Sequence, residues 1–233
     1  MRTFADLWRS TIFSKWVMAI SGLIWVGFLI GHLAANLLVY VGPDALNAYG
    51  ADLRALGHGT AIWGARLALL AFFILHMFTA FRLVRLNKTA RPGNYAQSDY
   101  RASSVASRTM AYSGVLLLLY VLYHLAHFTW GAVHAEFYQG QYTLPDGRIV
   151  HDVNKMLINS FQQPLIAVLY IVATVGLGFH LNHAISSAVQ TLGINHPKYV
   201  GLIRKAGIGL SVAIAGGFVS IPVAVLSGLV QLP

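Results

Sequence analysis

WVMAISGLIWVGFLIGHLAANLLVYV (residues 16–41) is a continuous stretch without a single Asp, Glu, Lys or Arg. A helix that crosses a bilayer needs about 20 predominantly apolar residues, so this segment is long enough to span a membrane. Four further segments have a similar length and character, at about residues 60–84, 107–131, 162–190 and 203–230. The sequence therefore predicts an all-α integral membrane protein, with five transmembrane helices in a single membrane domain over residues 1–233.

The composition excludes an ordinary soluble protein. The chain is 57% hydrophobic and only 10% charged, whereas a soluble domain is about 25% charged. The polar N-terminus leads into an apolar run too long for a signal peptide, which indicates a retained first span. The chain has no cysteine, which excludes disulfides, cysteine-ligated iron–sulfur clusters and covalently attached c-type haem. Its ten histidines remain as the strong ligands for a transition metal.

The net charge of +9 is distributed as a topology signal and not as a nucleic-acid-binding surface. Lys and Arg concentrate on the cytoplasmic side of bacterial membrane proteins. One side of the predicted spans carries Arg2, Arg9, Lys15, Arg82, Arg85, Lys88, Arg91, Arg101, Arg108, Lys198, Arg204 and Lys205, and the other side carries Arg54, Arg66, Arg148 and Lys155. The bias predicts a multi-pass protein of a bacterial-type cytoplasmic membrane, with the N-terminus inside and the C-terminus outside.

The connections between the spans differ in length. Residues 42–59 contain GPDALNAYG, whose Gly-Pro-Asp start predicts a turn and a loop. Residues 132–161 form the longest connection, on the extracytoplasmic side, and YTLPDGRIV within it predicts a small hairpin with Asp146 and Gly147 at its tip. Of the inner connections, 85–106 is polar, and 191–202 is short and contains INHPKY.

Each of the first four spans contains histidine, and these histidines lie at two depths. At 1.5 Å per helical residue, His32 and His124 lie roughly 24–25 Å from the cytoplasmic ends of their spans, and His76 and His180 roughly 14–15 Å. Ionisable side chains inside a bilayer are costly and usually functional. Each pair comes from spans that run in the same direction, and such spans lie diagonally opposite in an antiparallel four-helix bundle. Each pair therefore faces across the bundle interior.

Two histidines facing each other at one level suit a bis-histidine haem, and bundle interiors commonly hold such cofactors. Two haems at the two depths would form an electron path through the membrane. Zinc is an alternative, although it normally needs three or four protein ligands. A proton relay is another, although relays usually include acids. A neutral histidine bridging two helices is the structural alternative for each residue taken singly.

Two histidines lie one turn beyond the expected ligands. His127 follows His124 in YHLAHF (123–128), and His183 follows His180 in FHLNH (179–183). Either one suits a hydrogen bond to a haem propionate, a quinone or a phospholipid, or a purely structural hydrogen bond. The remaining histidines fall in predicted connections and have no expected role: His58, His134, His151 and His196.

Four stretches resemble one protein family: HLAANLLVYVGPDALNAYG (32–50), RLALLAFFILHMFTAFRL with NKTARPGNY (66–95), YHLAHF (123–128) and FHLNHAISSAVQTLGIN (179–195). Together with the number and spacing of the spans, they resemble the cytochrome b membrane-anchor subunit of succinate dehydrogenases and fumarate reductases, of the single-chain, five-helix, two-haem type. The resemblance implies haem b ligation by His76 and His180 at the proximal site, and by His32 and His124 at the distal site.

The resemblance also implies a function and partners. A flavoprotein subunit and an iron–sulfur subunit would dock on the cytoplasmic face, where the dicarboxylate chemistry takes place. This chain would anchor them and pass electrons between the iron–sulfur subunit and a membrane quinone, with menaquinone expected. Cytoplasmic cations would seat the partner, meet haem propionates or only enforce topology: Arg82, Arg85, Lys88, Arg91 and Arg204. A higher oligomer of the complex is compatible with this assembly.

Some features remain open within the resemblance. Certain fumarate reductases carry a glutamate two residues before the span-four ligand, and Gly178 at that position favours a succinate:quinone reductase. The quinone site is expected near the outer haem, with the candidates Asn36, Tyr40, Asp44, Tyr49, Asp52 and Arg54. The alternatives are a quinol:fumarate reductase anchor, a di-haem b electron carrier for a different dehydrogenase, and a haem-free transporter or scaffold.

Overall fold

The computed structural model describes residues 4–90 and 105–232 and confirms five helices long and apolar enough to cross a membrane. In chain order the elements are α1 (Phe4–Arg9), α2 (Thr11–Asn36), a 3-10 turn (Leu37–Tyr40), α3 (Pro43–Ala55), a 3-10 turn (Leu56–Gly59), α4 (Thr60–Thr89), α5 (Val105–Arg108), α6 (Met110–His124), a π turn (Leu125–Thr129), α7 (Ala135–Tyr138), β1 (Gln141–Thr143), β2 (Ile149–His151), α8 (Val153–Gln162), α9 (Pro164–Thr191) and α10 (Pro197–Leu226). The five spans are built on α2, α4, α6, α9 and α10.

The ends of the long helices follow local sequence signals. Ser10 caps α2 by accepting a hydrogen bond from the backbone N–H of Phe13, which satisfies one of the free donors at a helix start. Proline occupies the first turn of both α9 and α10, where its missing N–H costs nothing. Gly193, just after α9, has a φ of +96°, a backbone conformation that favours glycine. These signals explain why α10 begins at Pro197, earlier than the hydropathy pattern predicts.

Small residues set how closely the spans pack. The helix α2 packs against α4 and α9, and α9 packs against α6 and α10. A Cβ on Gly178 of α9 would lie 3.0 Å from the Cβ of Ala215 in α10, and one on Gly176 would lie 2.7 Å from Leu116 in α6. Small residues allow such close approach between membrane helices. The space beside Gly178 is therefore filled by α10.

Arg82 joins the first two spans at the end that the charge bias predicts to be cytoplasmic; this is the inner end of the bundle, and the opposite end is the outer end. Its guanidinium donates to the hydroxyl of Ser14 and to the carbonyl of Arg9, the latter at 3.1 Å. Trp8 lies edge-on to Phe78 of α4, with 6.0 Å between ring centroids. The start of α2 and the end of α4 therefore lie at the same end of the bundle. Arg2, Arg91, Arg101 and most of the ARPGNY turn lie outside the described residues.

The prediction that residues 42–59 form a loop is wrong, because this segment contains the 13-residue helix α3. Gly42 has a φ of +129° and precedes Pro43, which occupies the first turn of α3. Proline at this position starts a helix as readily as it marks a turn. The helix buries Leu46 and Asn47, so α3 is an amphipathic helix across the outer end of the bundle.

The long outer connection is folded and not extended. It contains the predicted hairpin, with Tyr142 opposite Val150 and with Gly147 at φ +85° in the turn. Arg148 donates to Asp146 through its backbone N–H and its guanidinium, and these bonds lower the pKa of the Asp146 carboxyl. The ion pair therefore persists at pH values where a free aspartate would already bind a proton.

An outer cap, defined as α3, the β1–β2 hairpin and α8, closes this end of the bundle. Asn47 of α3 is fully buried and donates to Asp152 at 3.0 Å. Its side-chain carbonyl accepts from the backbone N–H of Asn154, also at 3.0 Å. Asp152 in turn caps α8 by accepting from the backbone N–H of Lys155. One buried amide therefore joins α3 to the start of α8.

Candidate metal centre at two histidine pairs

The four histidines expected as ligands lie in two close pairs. The ring centroids of His32 on α2 and His124 on α6 are 5.9 Å apart, at an interplanar angle of 89°. Those of His76 on α4 and His180 on α9 are 6.5 Å apart, at 68°. Each pair joins two helices that are not consecutive among the spans. The histidines that share a depth in the sequence are therefore also the histidines whose rings meet in the bundle.

The separation of the rings suits one metal between each pair. A histidine nitrogen lies about 2 Å from a bound transition metal and the ring centre about 1 Å further back, so opposed ligands have centroids roughly 6 Å apart. Both pairs are close to this value. Within residues 4–90 and 105–232 no group of three or more His, Cys, Asp or Glu side chains is placed to hold a metal. Two opposed imidazoles are the set required by a metal whose other ligands come from a macrocycle.

The inner pair has its imidazole protons positioned by hydrogen bonds. His76 Nδ1 lies 3.1 Å from the carbonyl oxygen of Met18, and a carbonyl only accepts, so Nδ1 is the donor. His180 Nδ1 lies 3.1 Å from the Ser113 hydroxyl, which also bonds the Met110 carbonyl. A hydroxyl that donates its single proton to Met110 accepts from His180 Nδ1, and this is the arrangement required when Nε2 of His180 holds a metal. His76 therefore carries its proton on Nδ1 and keeps the Nε2 lone pair, and Ser113 allows His180 to do the same.

The outer pair has a different environment, made mainly of aromatic rings. Phe28 stacks on His32 at 5.2 Å between centroids and an angle of 14°. Tyr120, Phe128 and Tyr170 surround His124 at 5.7 to 6.0 Å. The Nδ1 atom of His124 is buried and has no hydrogen-bond partner within the described part of the chain. Apolar ring walls around two imidazoles suit a flat, largely apolar macrocycle.

Glycine makes room beside the inner ligands. A Cβ on Gly22 of α2 would lie 3.2 Å from Cε1 and 3.4 Å from Nδ1 of His76. A Cβ on Gly114 of α6 would lie 3.9 Å from Cε1 of His180. The first distance is too short for an ordinary contact and the second is not. A methyl group at position 22 would therefore press on His76, whereas one at position 114 makes an ordinary contact with His180.

His127 is fully occupied by protein partners. Its side chain is 2% exposed, with Nδ1 at 3.0 Å from the Tyr170 hydroxyl and Nε2 at 3.1 Å from the Ser160 hydroxyl. Neither ring nitrogen is left for a metal. His127 lies within the π turn Leu125–Thr129, which directly follows His124, and such turns often occur at functional sites. His183 is half-buried; its backbone carbonyl accepts from the Ser186 hydroxyl, whereas its imidazole has no hydrogen bond to another described residue.

The quinone candidates do not converge on one site. Asp44 accepts from the Tyr142 hydroxyl at 2.8 Å, and Asp52 accepts from Arg148 at 2.7 Å. Arg54 donates to the Gly50 carbonyl of its own helix, and Tyr49 is exposed. These four residues belong to the outer cap.

Asn36 and Tyr40 lie instead where α2 ends. Asn36 donates to the carbonyl of His32, one of the outer pair, and the Tyr40 hydroxyl donates to Ser220 of α10 at 2.9 Å. Tyr40 is nevertheless 46% exposed. These two side chains are the quinone candidates that lie nearest in sequence to an outer histidine.

The cations predicted to be cytoplasmic divide into two groups. Arg82 is used within the fold, as described above. Arg85, Lys88 and Arg204 are exposed at the inner end of the bundle. Arg91 lies outside the described residues.

Several residues around the pairs were missed from sequence. Ser21, Gly22, Ser113 and Gly114 touch the inner histidines, and two Ser-Gly dipeptides inside apolar spans were the available signal. Hydroxyls and glycines are common in membrane helices, so each alone indicates only helix packing. Asn47 was missed because its partners lie more than a hundred residues away.

Comparisons with known proteins do not indicate a function for this chain. The chain matches no protein-family model, and neither the curated proteins nor the solved structures yield a match.

Proposed function

We propose that the chain is the di-haem cytochrome b membrane anchor of a succinate:quinone oxidoreductase. It would pass electrons between an iron–sulfur subunit and a membrane quinone, with menaquinone expected. The observation that carries the proposal is the pairing of four intramembrane histidines at two levels, with ring centroids 5.9 and 6.5 Å apart. Paired imidazoles on four spans are what two bis-histidine b haems need, His76 with His180 proximally and His32 with His124 distally.

The residues of the chain have distinct tasks in this proposal. Haem, when bound, supplies reversible one-electron transfer. The four histidines hold the iron, and the Met18 carbonyl and Ser113 keep the inner rings in the tautomer that binds metal. The aromatic side chains around the outer pair exclude water. The apolar bundle keeps the two sites apart from the aqueous phases on both sides.

The partners and the orientation follow from charge. The excess of Lys and Arg at one end indicates the cytoplasmic side, so the N-terminus would lie inside and the C-terminus outside. Arg85, Lys88 and Arg204 are exposed at that end and would face the iron–sulfur and flavoprotein subunits, which carry out the dicarboxylate chemistry. The quinone would bind on the opposite side, where Asn36 bonds the carbonyl of His32 and Tyr40 follows four residues later.

The proposal is tested by a redox-difference spectrum with haem quantitation on the purified complex, together with identification of its subunits. We expect two low-spin b haems per chain and co-purification of a flavoprotein and an iron–sulfur protein. Two haems with a different dehydrogenase would favour a di-haem carrier of another complex. A complex without a Soret band, purified from haem-replete cells, would contradict the haem assignment and favour a transporter or scaffold.

His127→Ala should keep both haems, because both ring nitrogens of His127 already bond to protein. The variant should instead lower the unfolding temperature, because the buried Tyr170 hydroxyl loses its partner, at about 1–3 kcal/mol for an unsatisfied group, while the Ser160 hydroxyl keeps its bond to the Met156 carbonyl. Haem content and thermal unfolding in detergent measure the two effects. Loss of a haem at unchanged unfolding temperature would show that His127 is a ligand.

A further inference from the structure

Two Ser-Gly dipeptides occupy equivalent places in two different spans. Ser21 and Gly22 lie in α2, and Ser113 and Gly114 lie in α6. Each serine stands eleven residues before the outer histidine of its own helix, His32 in α2 and His124 in α6. Eleven residues make close to three turns of an α-helix, or roughly 16 Å along its axis. The helix face that presents an outer histidine therefore also presents a Ser-Gly dipeptide, at the inner level.

Each dipeptide contacts an inner histidine on another span. Ser21 lies 3.4 Å from His76 Nδ1, and Ser113 lies 3.1 Å from His180 Nδ1. Both hydroxyls also bond carbonyls of their own helices, Ser21 that of Val17 at 2.6 Å and Ser113 that of Met110 at 3.1 Å. A hydroxyl has one proton to donate. When Nε2 of each inner histidine holds a metal, Nδ1 carries the ring proton, and both serines are then acceptors towards the imidazoles.

The two inner histidines differ in how many acceptors their Nδ1 atoms have. His76 Nδ1 has a shorter bond, at 3.1 Å, to the Met18 carbonyl, so Ser21 is its second acceptor. For His180 Nδ1, Ser113 is the one acceptor within the described part of the chain. The outer pair has no counterpart, since Nδ1 of His124 is buried without a partner there. Serine–imidazole hydrogen bonds of this kind therefore occur at the inner histidine pair and not at the outer one.

We propose that Ser113 is the positioning residue of the inner haem site, acting through His180, and that Ser21 supports the Met18 carbonyl in the same role at His76. The inference rests on the proposed function. An acceptor on Nδ1–H fixes the ring orientation and makes the imidazole a stronger donor to the metal. A stronger donor stabilises the ferric state, so these contacts lower the midpoint potential of the inner haem and leave the outer haem unaffected.

Ser113→Ala tests this directly. We expect two haems per chain to be retained and the potential of the inner haem to rise, with the reduced-to-oxidised ratio at a fixed potential increasing about tenfold, or about 59 mV for one electron. The g-values of the inner haem should shift in the electron paramagnetic resonance spectrum. Variants that lack one haem assign the two signals. The purified complex in detergent, titrated potentiometrically, gives both measurements.

Ser21→Ala is the matched comparison, and Ser211→Ala is the control. Ser21→Ala should produce a clearly smaller shift than Ser113→Ala, because the Met18 carbonyl still accepts from His76. Ser211 is a buried serine of α10 whose hydroxyl bonds the Ile208 carbonyl, so Ser211→Ala should shift neither haem. Equal potentials in the Ser113→Ala and Ser211→Ala complexes would overturn the positioning role.

The two glycines provide an independent arm of the test. Gly22→Ala places a methyl group 3.2 Å from His76, so the imidazole must move by a few tenths of an ångström and the inner haem signal should change or be lost. Gly114→Ala places a methyl group in ordinary contact with His180, at 3.9 Å, and should leave the inner haem signal unchanged. Equal spectra for the two glycine variants would contradict the arrangement of the inner level. Absence of haem from the wild-type complex would overturn the proposed function instead.

Discussion

His76→Ala and His180→Ala should each remove the inner haem and leave the outer one, so that the purified chain keeps one haem of two. Each substitution removes one of two opposed imidazoles whose centroids are 6.5 Å apart. Alanine offers the iron no ligand, and His183 has its own place one turn further along α9. The remaining imidazole alone cannot hold a six-coordinate iron in this apolar bundle. Haem quantitation and the difference spectrum measure the loss.

The complementary variants, His32→Ala and His124→Ala, should remove the outer haem and leave the inner one. The haem lost from the inner-pair variants and the haem lost from the outer-pair variants should have different midpoint potentials. The inner rings have hydrogen-bond acceptors, whereas the outer ring of His124 does not. His58→Ala, at an exposed turn before α4, is the control and should keep both haems. Retention of two haems by all four ligand variants would refute the ligand assignment.

Asn47→Ala should destabilise the outer cap by about 2–4 kcal/mol, the cost expected when a buried hydrogen-bond network is broken. The Asn47 amide is fully buried and bonds both Asp152 and the backbone of Asn154. Without it, the N–H of Asn154 stays buried without an acceptor, and α3 separates from α8. Thermal unfolding and protease cleavage within 132–161 report the loss.

Asp52→Asn is the matched control for the cap. Asp52 also joins α3 to the outer connection, through Arg148 at 2.7 Å, but its side chain is 62% exposed. Exposed ion pairs contribute little to stability because water and salt screen them. Similar unfolding temperatures for Asn47→Ala and Asp52→Asn would show that the buried amide does not hold the cap.

The five spans and the pairing of histidines were predictable because both depend on local properties. Hydropathy over 20 residues identifies a span, and a rise of 1.5 Å per residue converts a position in the sequence into a depth. His32 with His124 and His76 with His180 follow from counting along each helix. The hairpin at Asp146 and Gly147 was predictable for the same reason, since its turn residues are adjacent.

The outer cap was only partly predictable. Gly-Pro-Asp at 42–44 starts a helix here, although the same residues are typical of turns. The choice depends on Asn47, whose partners Asp152 and Asn154 come from the distant outer connection. A helix as short as α3 gains its stability from such tertiary packing and not from its own residues.

By itself, the sequence determined that the chain has five helices long and apolar enough to cross a membrane, with histidines at two levels, since hydropathy and helical rise act within one segment. Only the tertiary structure decided what each imidazole does. In the folded chain both ring nitrogens of His127 are hydrogen-bonded to Tyr170 and Ser160. Ser113 lies against His180, and the Met18 carbonyl lies against His76. Hydrogen bonds between separate spans depend on how the helices pack, and so these roles emerge only when the bundle is assembled.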